Sequence, residues 1–426
     1  MFVNYDQGMN PDTRNDYLWL VSDETVPILD HVQKAFEENV NPVRIAKSLR
    51  KQTTATRSAL VMEQAQLRIR GRIKFANAQQ MFFTRRGLEQ ASGKGLARYK
   101  AARMAGLSKV GDLCCGIGGD LLALAQRNKK EPLASETVGI DLDELTCLFA
   151  QRNLIANSLD PNLVRIEQVD FNAFDLAGFD GMHVDPDRRI KDRTVHGNRF
   201  SPTLEEVFAR TPDDCTVAIK VAPATPSANY FPSHLQREWL GDHRECKQQL
   251  LWVGPATDKP AHRTATYVGK DGSVNQISVA EDDLDCTIEV HDTILDYIYE
   301  PHPAVLAARL TDFVGRRNGL RRFTSGISYL TGKQLVDDPL LTRFEVLDIL
   351  PLSLRKAHRV LQILEVGEIE VKKRGVESVT VEQFGRMKLE GPNFATVILT
   401  RLGKNRVVVI AKRQGNPLEL PGISSP

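Results

Sequence analysis

Short apolar runs alternate with amphipathic stretches through the middle of the chain, and this pattern predicts an α/β protein. The runs have the length of buried strands, and helical patterns with one apolar face separate most of them. The predicted strands begin at Val110 and continue at 137–140, 164–169, 179–184, 216–221, 248–253 and 263–268. This order predicts a doubly wound, Rossmann-like sheet of seven strands, of which the last two form an antiparallel pair.

Two regions with different patterns flank the predicted sheet domain, which covers residues 88–285. Residues 1–87 predict a basic helical region that is irregular up to about residue 21, and Asn41-Pro42 marks a helix start within it. Residues 286–426 predict a small α+β, ferredoxin-like region after an acidic break. The chain of 426 residues therefore has room for two or three domains.

A glycine-rich turn directly follows the first predicted strand, in the sequence V-G-D-L-C-C-G-I-G-G-D of residues 110–120. Gly116 and Gly118 remove Cβ atoms where the backbone turns sharply and a ligand approaches, which is typical of a cofactor site. Cys114 stands where a dinucleotide fingerprint has its first glycine, and no lysine follows Gly119 as it would in a P-loop. A strand-to-helix turn without any ligand is the alternative interpretation.

Carboxylates surround this turn and favour a cationic ligand. Asp112 and Asp120 would repel a pyrophosphate, whereas they suit a ligand with an ammonium and a sulfonium group. Asp141 ends the second strand, where an acid accepts from both hydroxyls of a ribose. Asp170 ends the third strand and is placed to accept from the amine of an adenine, while the N–H of Phe171 serves a ring nitrogen.

The charge of the chain is unevenly distributed, although its net value is only +2. The segment from Pro42 to Ala105 contains fifteen Lys or Arg residues and two acidic residues. Such an excess predicts a surface that faces a polyanion, with solvated helix faces as the alternative.

Composition narrows the class of protein further. The six cysteines contain no C-x-x-C pair, which predicts a reduced, cytoplasmic protein without a structural zinc or another metal site. No apolar run approaches the roughly 20 residues of a membrane span. The first residues also lack the layout of a signal peptide, so we expect no membrane partner.

The motifs resemble a known family. The segments L-E-Q-A-S, G-D-L-C-C-G-I-G-G-D, G-I-D-L-D, V-D-P-D-R-R and Y-I-Y-E-P-H-P, in this order, resemble class I methyltransferases that carry a C-terminal THUMP-like domain. The part with the glycine turn is more distantly similar to trimethylguanosine synthase, an RNA-cap methyltransferase. The resemblance implies a seven-stranded methyltransferase sheet, S-adenosyl-L-methionine as the cofactor, and RNA as a partner because THUMP domains bind RNA.

The resemblance also implies cofactor contacts around the turn and the strand ends, at Asp112, Cys114, Gly116, Gly118, Asp141, Asp170 and Phe171. A segment before the first strand often folds over the open end of the cofactor in such enzymes. Gln90 and Ser92 lie there and would hydrogen-bond the methionine portion. The alternative is a helix cap at Ser92 and a surface glutamine.

The fourth strand leads into the predicted substrate site, D-P-D-R-R. Several nucleic-acid methyltransferases have D/N-P-P-aromatic here, and their aromatic ring stacks on the target base. Asp185 and Pro186 fit that pattern and would border the acceptor, with Asp185 orienting it or taking its proton. Asp187, Arg188 and Arg189 replace the second proline and the aromatic residue, and the two arginines suit a phosphate or a carboxylate.

These observations lead to the hypothesis of an S-adenosylmethionine-dependent methyltransferase that acts on tRNA or rRNA. A methyltransferase of a protein or of an anionic small molecule is the second hypothesis, in which the two arginines bind a carboxylate. The third hypothesis, from another class, is a non-catalytic module that binds the cofactor and RNA.

Overall fold

The structure, a computed structural model, describes residues 9–128, 135–188, 200–225, 235–255, 257–376 and 381–415. The chain divides into two compact units. Unit 1 comprises Met1–Val221 and Leu250–Pro260, and unit 2 comprises Ala222–Gln249 and Ala261–Pro426. No helix in the described ranges has the length and apolarity needed to cross a membrane.

Unit 1 begins with helices, as the sequence predicts for its first 87 residues. They are α1 (Pro11–Leu20), α2 (Val26–Glu37), α3 (Pro42–Leu49), α4 (Ala55–Gly71), α5 (Arg85–Gln90) and α6 (Lys94–Arg103). The prediction of an irregular start was wrong, because Asn10 accepts a hydrogen bond from the N–H of Asp12 and caps α1 ahead of Pro11. The same pair of residue types starts α3, where the Asn41 side chain accepts from the N–H of Val43.

A parallel sheet forms the centre of unit 1. Its strands are β1 (Lys109–Leu113), β2 (Glu136–Asp141), β3 (Val164–Gln168), β4 (Gly181–Val184) and, later in the chain, Thr216–Val221. A short antiparallel pair, β5 (Asp187–Arg188) and β6 (Phe200–Ser201), precedes that last strand, which is therefore β7. The spatial order β7-β4-β1-β2-β3 places β1 between β2 and β4, at the point where the strand order reverses and doubly wound folds bind their ligands.

The remaining helices of unit 1 are α7 (Leu121–Leu124), α8 (Glu144–Ala156) and α9 (Leu204–Arg210). The helical region packs on this domain through apolar contacts, since Phe82 and Phe149 of α8 belong to one buried cluster with Leu29 and Val61. Phe75, Phe82 and Phe83 are at most 9% exposed, so these rings pack inside the protein and are not available to stack on bases.

Unit 2 contains two groups of strands. The first group has β8 (Gln236–Asp242), β10 (His262–Val268) and β11 (Val274–Ala280); β10 runs parallel to β8 and antiparallel to β11. The strand that follows β8 in the sequence, β9 (Glu245–Val253), contributes residues to both units. Four strands thus follow β7, where the prediction of seven strands had two. The predicted antiparallel pairing of the last two strands was wrong, because β10 pairs with β8 and β11 and not with β9.

The second group is a sheet with the order β13-β14-β12-β15-β18-β17-β16. Its strands are β12 (Tyr297–Pro301), β13 (Arg321–Arg322), β14 (Leu330–Gly332), β15 (Leu341–Pro351), β16 (Val366–Lys373), β17 (Asn393–Leu402) and β18 (Asn405–Gln414). Its helices are α10 (Pro303–Ala307), α11 (Thr311–Arg317), α12 (Leu354–Ile363) and α13 (Val381–Gly385). This mixture agrees with the α+β pattern expected after residue 285.

One buried amide fixes the N-terminal region to the glycine turn. The Asn153 side chain is fully buried; its oxygen accepts from the N–H of Phe82 at 2.7 Å. Its nitrogen donates to the carbonyl oxygens of Phe82 at 3.0 Å and Ile117 at 2.9 Å.

We expect Asn153→Ala to lower the free energy of unfolding by about 2–4 kcal/mol, because it leaves buried backbone groups without partners. Urea denaturation followed by circular dichroism measures the loss. Asn162→Ala is the control, since the Asn162 side chain is exposed and bonds only to Asp160. Equal unfolding midpoints for the two variants would contradict the role assigned to Asn153.

Candidate functional site

The glycine turn after β1 has the bare, left-handed backbone that the sequence predicts. The φ angles of Cys114, Gly116 and Gly118 are 65°, 56° and 85°. A Cβ placed on Gly116 would meet no heavy atom within 4 Å, so the backbone borders open space at that residue. The helix behind the turn, α7, has only four residues, so a helix dipole contributes little to ligand binding here.

Four carboxylates gather around this turn. The pKa of the Cys114 thiol is raised by burial, and also by the negative charges of Asp141, Asp185, Asp112 and Asp170. A thiol responds to all four charges only when they lie near it. The fold therefore brings together the acids that the sequence placed at separate strand ends.

Asp141 holds the turn in place from the end of β2. Its Oδ2 accepts from the N–H of Gly116 at 2.9 Å and its Oδ1 accepts from the N–H of Asp143 at 3.0 Å. Burial raises the pKa of Asp141, and these two bonds oppose that shift. Each oxygen retains a second lone pair, so the carboxylate can still accept from a diol.

Asp170 and Phe171 follow β3. Asp170 is exposed, and its Oδ1 accepts from the N–H of Asn172 at 2.7 Å. The Phe171 ring is 6% exposed, and the Arg210 guanidinium lies 5.0 Å from its centre. The exposed carboxylate of Asp170 is thus followed directly by a buried aromatic residue.

A row of buried polar side chains runs from β1 towards the segment before α6. Nδ1 of His183 on β4 donates to Oδ1 of Asp112 at 2.8 Å, and its Nε2 lies 3.0 Å from Nζ of Lys100. Lys100 lies 2.7 Å from Oδ1 of Asp120 and donates to the Ser92 hydroxyl at 3.0 Å. That hydroxyl donates to Oδ2 of Asp120 at 2.9 Å.

Burial and neighbouring charges compete along this row. Burial lowers the pKa of Lys100 and raises the pKa of Asp112, in each case against the effect of oppositely charged neighbours. At Asp120 burial also raises the pKa, but the positive charges of Lys100, His183 and Lys220 outweigh burial and lower the pKa below its ordinary value. Oδ2 of Asp112 is also buried and accepts no hydrogen bond from any described residue. A buried acceptor without a donor is costly, so it marks the place where a cationic or N–H-bearing ligand group fits.

In the segment before β1, Ser92 is buried and Gln90 is exposed. Ser92 does not cap a helix, because α6 begins at Lys94 after Gly93; its hydroxyl is engaged by Lys100 and Asp120 instead. Gln90 ends α5 with an exposed side chain, and its carbonyl oxygen accepts from Nζ of Lys220 at 3.0 Å.

Asp185 lies at the end of β4, beside β7. Because Val184 pairs with Ile219, the next residue on each strand brings Asp185 and Lys220 together. Nζ of Lys220 lies 2.6 Å from Oδ2 of Asp185, whose side chain remains 33% exposed. Pro186 is buried next to this pair. The Arg188 side chain and the whole of Arg189 lie outside the described residues.

Three of these residues were not singled out as site residues from the sequence. Lys100 occurs in a short basic helix, and His183 and Lys220 occur in two apolar strands, where a lone polar residue is compatible with many roles. The available signal was a charged residue within a strand predicted to be buried, which rarely occurs without a partner. Within the described part of the chain, no group of three or more His, Cys, Asp or Glu side chains is arranged to hold a metal ion.

Several known proteins are similar to this chain over most of its length. Two curated proteins of Mycobacterium tuberculosis, from strains CDC 1551 and H37Rv, are each 29% identical over 327 residues, which covers 76% of this chain and 86% of theirs. Both are named as uncharacterized S-adenosylmethionine-dependent methyltransferases. The crystal structure of a proposed methyltransferase from Porphyromonas gingivalis W83 covers 93% of this chain with a TM-score of 0.70 at 21% identity. Residues 341–413 match the family described as THUMP domain-like.

These similarities confirm the fold class and the resemblance predicted from the sequence. The chain has the class I methyltransferase fold, and its C-terminal region is THUMP-like. The more distant similarity to trimethylguanosine synthase stays a prediction.

We expect Lys100→Met to lower the free energy of unfolding by about 3–5 kcal/mol, because it leaves the buried Asp120 without its cation. Adding Asp120→Asn should recover part of the loss, since the uncompensated charge is then removed as well. Lys109→Met is the control: Lys109 also pairs with an acid, Glu136 at 3.6 Å, but at a partly exposed position. Lys109→Met should lower the free energy of unfolding by less than about 1 kcal/mol. Thermal and urea unfolding measure all three, and a control as unstable as Lys100→Met would count against the buried pair.

Proposed function

We propose that this protein is an S-adenosylmethionine-dependent methyltransferase that acts on RNA. The observation that best supports this cofactor is that the buried Oδ2 of Asp112 accepts no hydrogen bond from the described residues. Asp112 lies on the strand that leads into the turn, where the backbone at Gly116 borders open space. The names of the curated relatives support the same cofactor.

The donor set fits this cofactor better than it fits a nucleotide polyphosphate. Asp112 would accept from the ammonium group of the methionine portion, Asp141 from the ribose hydroxyls and Asp170 from the adenine amine. Carboxylates attract the positive charges of this cofactor, whereas they would repel each phosphate of NAD or ATP. The backbone at Gly116 and Gly118 allows close approach.

When bound, the cofactor supplies an activated methyl group on a sulfonium. The protein's contribution is mainly to hold the acceptor in line with that group. Asp185 is placed to orient the acceptor and to receive its proton, because its side chain is partly exposed and one of its oxygens accepts no hydrogen bond from the residues that the structure describes. Lys220 fixes the other oxygen.

Basic surfaces on both units support RNA as the substrate. Arg44, Lys47, Arg50 and Lys51 are exposed on and after α3, without an ion-pair partner among the described residues. The α12 helix, inside the THUMP-like stretch, exposes Arg355, Lys356 and Arg359. Cations that bind phosphates position a nucleic acid without reading its sequence.

Other basic residues of the two regions are paired with acidic side chains of the chain itself. Arg57, Arg72 and Arg85 pair with Asp16, Glu37 and Glu63. Lys372 and Arg374, which belong to a basic cluster at the end of β16, lie at 2.5 Å and 3.8 Å from the carboxylate of Glu300. The RNA-facing charge is therefore smaller than a count of Lys and Arg suggests.

We expect Asp185→Ala to abolish methyl transfer while the Kd for S-adenosylmethionine changes less than about threefold, because Asp185 faces the acceptor. Asp141→Asn should instead weaken cofactor binding by about tenfold or more, since a charge-assisted bond to the ribose is lost. Calorimetry with the cofactor and its demethylated product measures both, with the exposed Asp175→Asn as the control. Uptake of NAD or ATP in place of the cofactor would overturn the assignment.

For RNA, we expect the affinity to fall steeply with salt. Arg50→Ala/Lys51→Ala should lower the slope of log Kd against log salt concentration by about 1.5, because each phosphate contact contributes about 0.7–0.9. Arg72→Ala/Arg85→Ala removes two internally paired cations and should leave the slope near that of the wild type. An affinity for tRNA and rRNA that is insensitive to salt would argue against RNA as the partner.

A further inference from the structure

The Asp185–Lys220 pair presents two complementary hydrogen-bonding atoms to the acceptor. Oδ2 of Asp185 is occupied by Lys220, and Oδ1 accepts no hydrogen bond from the described residues. Nζ of Lys220 donates to Asp185 and to the carbonyl oxygen of Gln90, which leaves one of its three N–H groups. An acceptor oxygen and a cationic donor therefore stand side by side where the acceptor binds.

Lys220 is kept charged by its surroundings. Burial alone would lower its pKa, but the carboxylates of Asp185 and Asp120 outweigh burial and raise the pKa above its ordinary value. The side chain is 14% exposed, so this positive charge acts at close range with little screening by water.

We propose that the acceptor is the lactam edge of a nucleobase, where a ring N–H adjoins a carbonyl group, as at N1 and O6 of guanine or N3 and O4 of uracil. This inference rests on the proposed function, whose acceptor it specifies. Oδ1 of Asp185 accepts from the ring N–H, and the third N–H of Lys220 donates to the neighbouring carbonyl oxygen.

The chemistry of a lactam requires both groups. Its ring nitrogen has no available electron pair until its proton leaves, so the N–H bond breaks and Asp185 takes the proton. The negative charge that develops is shared with the carbonyl oxygen, and Lys220 stabilises it there. The nitrogen then bonds to the methyl carbon while the carbon–sulfur bond breaks, and its electron pair goes to the sulfur. The product base and the thioether are neutral, and Asp185 releases its proton to solvent.

An exocyclic amine is a poorer match for this pair. Its nitrogen becomes positively charged as it attacks, and a lysine ammonium on the neighbouring strand disfavours that charge. The aromatic ring that accompanies such acceptors in the D/N-P-P-aromatic motif is also absent from its position, because Arg188 stands there and Asp187 replaces the second proline. Both features point to an acceptor that becomes an anion.

The first test identifies the modified nucleoside. RNA from a deletion strain, its parent and a complemented strain is digested and analysed by mass spectrometry. We expect the deletion strain to lack a nucleoside methylated on a ring nitrogen beside a carbonyl. Loss of a nucleoside methylated on an exocyclic amine, on carbon or on the ribose would overturn this inference and leave RNA methylation standing. Loss of no methylated nucleoside would overturn the proposed function itself.

The second test asks whether Lys220 takes part in methyl transfer or only balances the negative charge of the nearby carboxylates. Lys220→Met should reduce kcat by about 10²-fold or more, while the Kd for S-adenosylmethionine stays within about threefold. Lys220→Arg keeps the charge and should recover part of kcat. Lys109→Met, which removes a paired lysine from the opposite end of the same sheet, should leave kcat unchanged.

Binding gives a readout independent of turnover. Unmethylated RNA from the deletion strain should bind Lys220→Met less tightly than the wild type, whereas RNA that already carries the methyl group should bind the two proteins alike. A Lys220→Met protein that loses cofactor affinity or folding stability in proportion to its activity would overturn the inference, since Lys220 would then only balance charge. A Lys220→Arg protein no more active than Lys220→Met would do the same.

Discussion

The interaction on which unit 1 depends is the pairing of carboxylates with internal donors at the end of its parallel sheet. Burying an unpaired carboxylate costs several kcal/mol, so a fold that gathers such groups at one place must supply each with a partner. His183 forms a hydrogen bond with Asp112, Lys100 forms an ion pair with Asp120, and Lys220 forms an ion pair with Asp185. These contacts connect β1, β4, β7 and the segment before β1, so the site and the packing of the strands depend on the same atoms.

The features that the sequence predicts correctly are those whose cause is local. A left-handed turn requires glycine at Gly116 and Gly118, and this requirement is visible in the letters themselves. An acid at the end of a parallel strand needs only the strand to be recognised, because all such ends meet at one edge of the sheet. Asp141 and Asp185 were therefore placed near the turn without any knowledge of tertiary structure.

The features that were missed depend on pairing across the fold. β8 was not predicted because it starts Q-R-E, which reads as a polar loop. These residues are nevertheless buried, since Gln236 bonds to Thr264, Arg237 to Glu281 and Glu238 to Thr266. A polar strand of this kind becomes recognisable only when its partner strand is known. In the same way, the roles of Lys100 and His183 become recognisable only when the acidic residues that they contact are known. The α1 helix has a local cause instead, because Asn10-Pro11 is the same start signal as Asn41-Pro42 and is visible in the sequence.

The cysteine that replaces a glycine of the turn has a chemical consequence. Sulfur nucleophiles react as thiolates, and a thiolate next to an activated methyl donor is itself a target for alkylation. Burial and the surrounding carboxylates keep Cys114 protonated. In the proposed function, the acids that attract the methyl donor would therefore also protect Cys114 from being methylated.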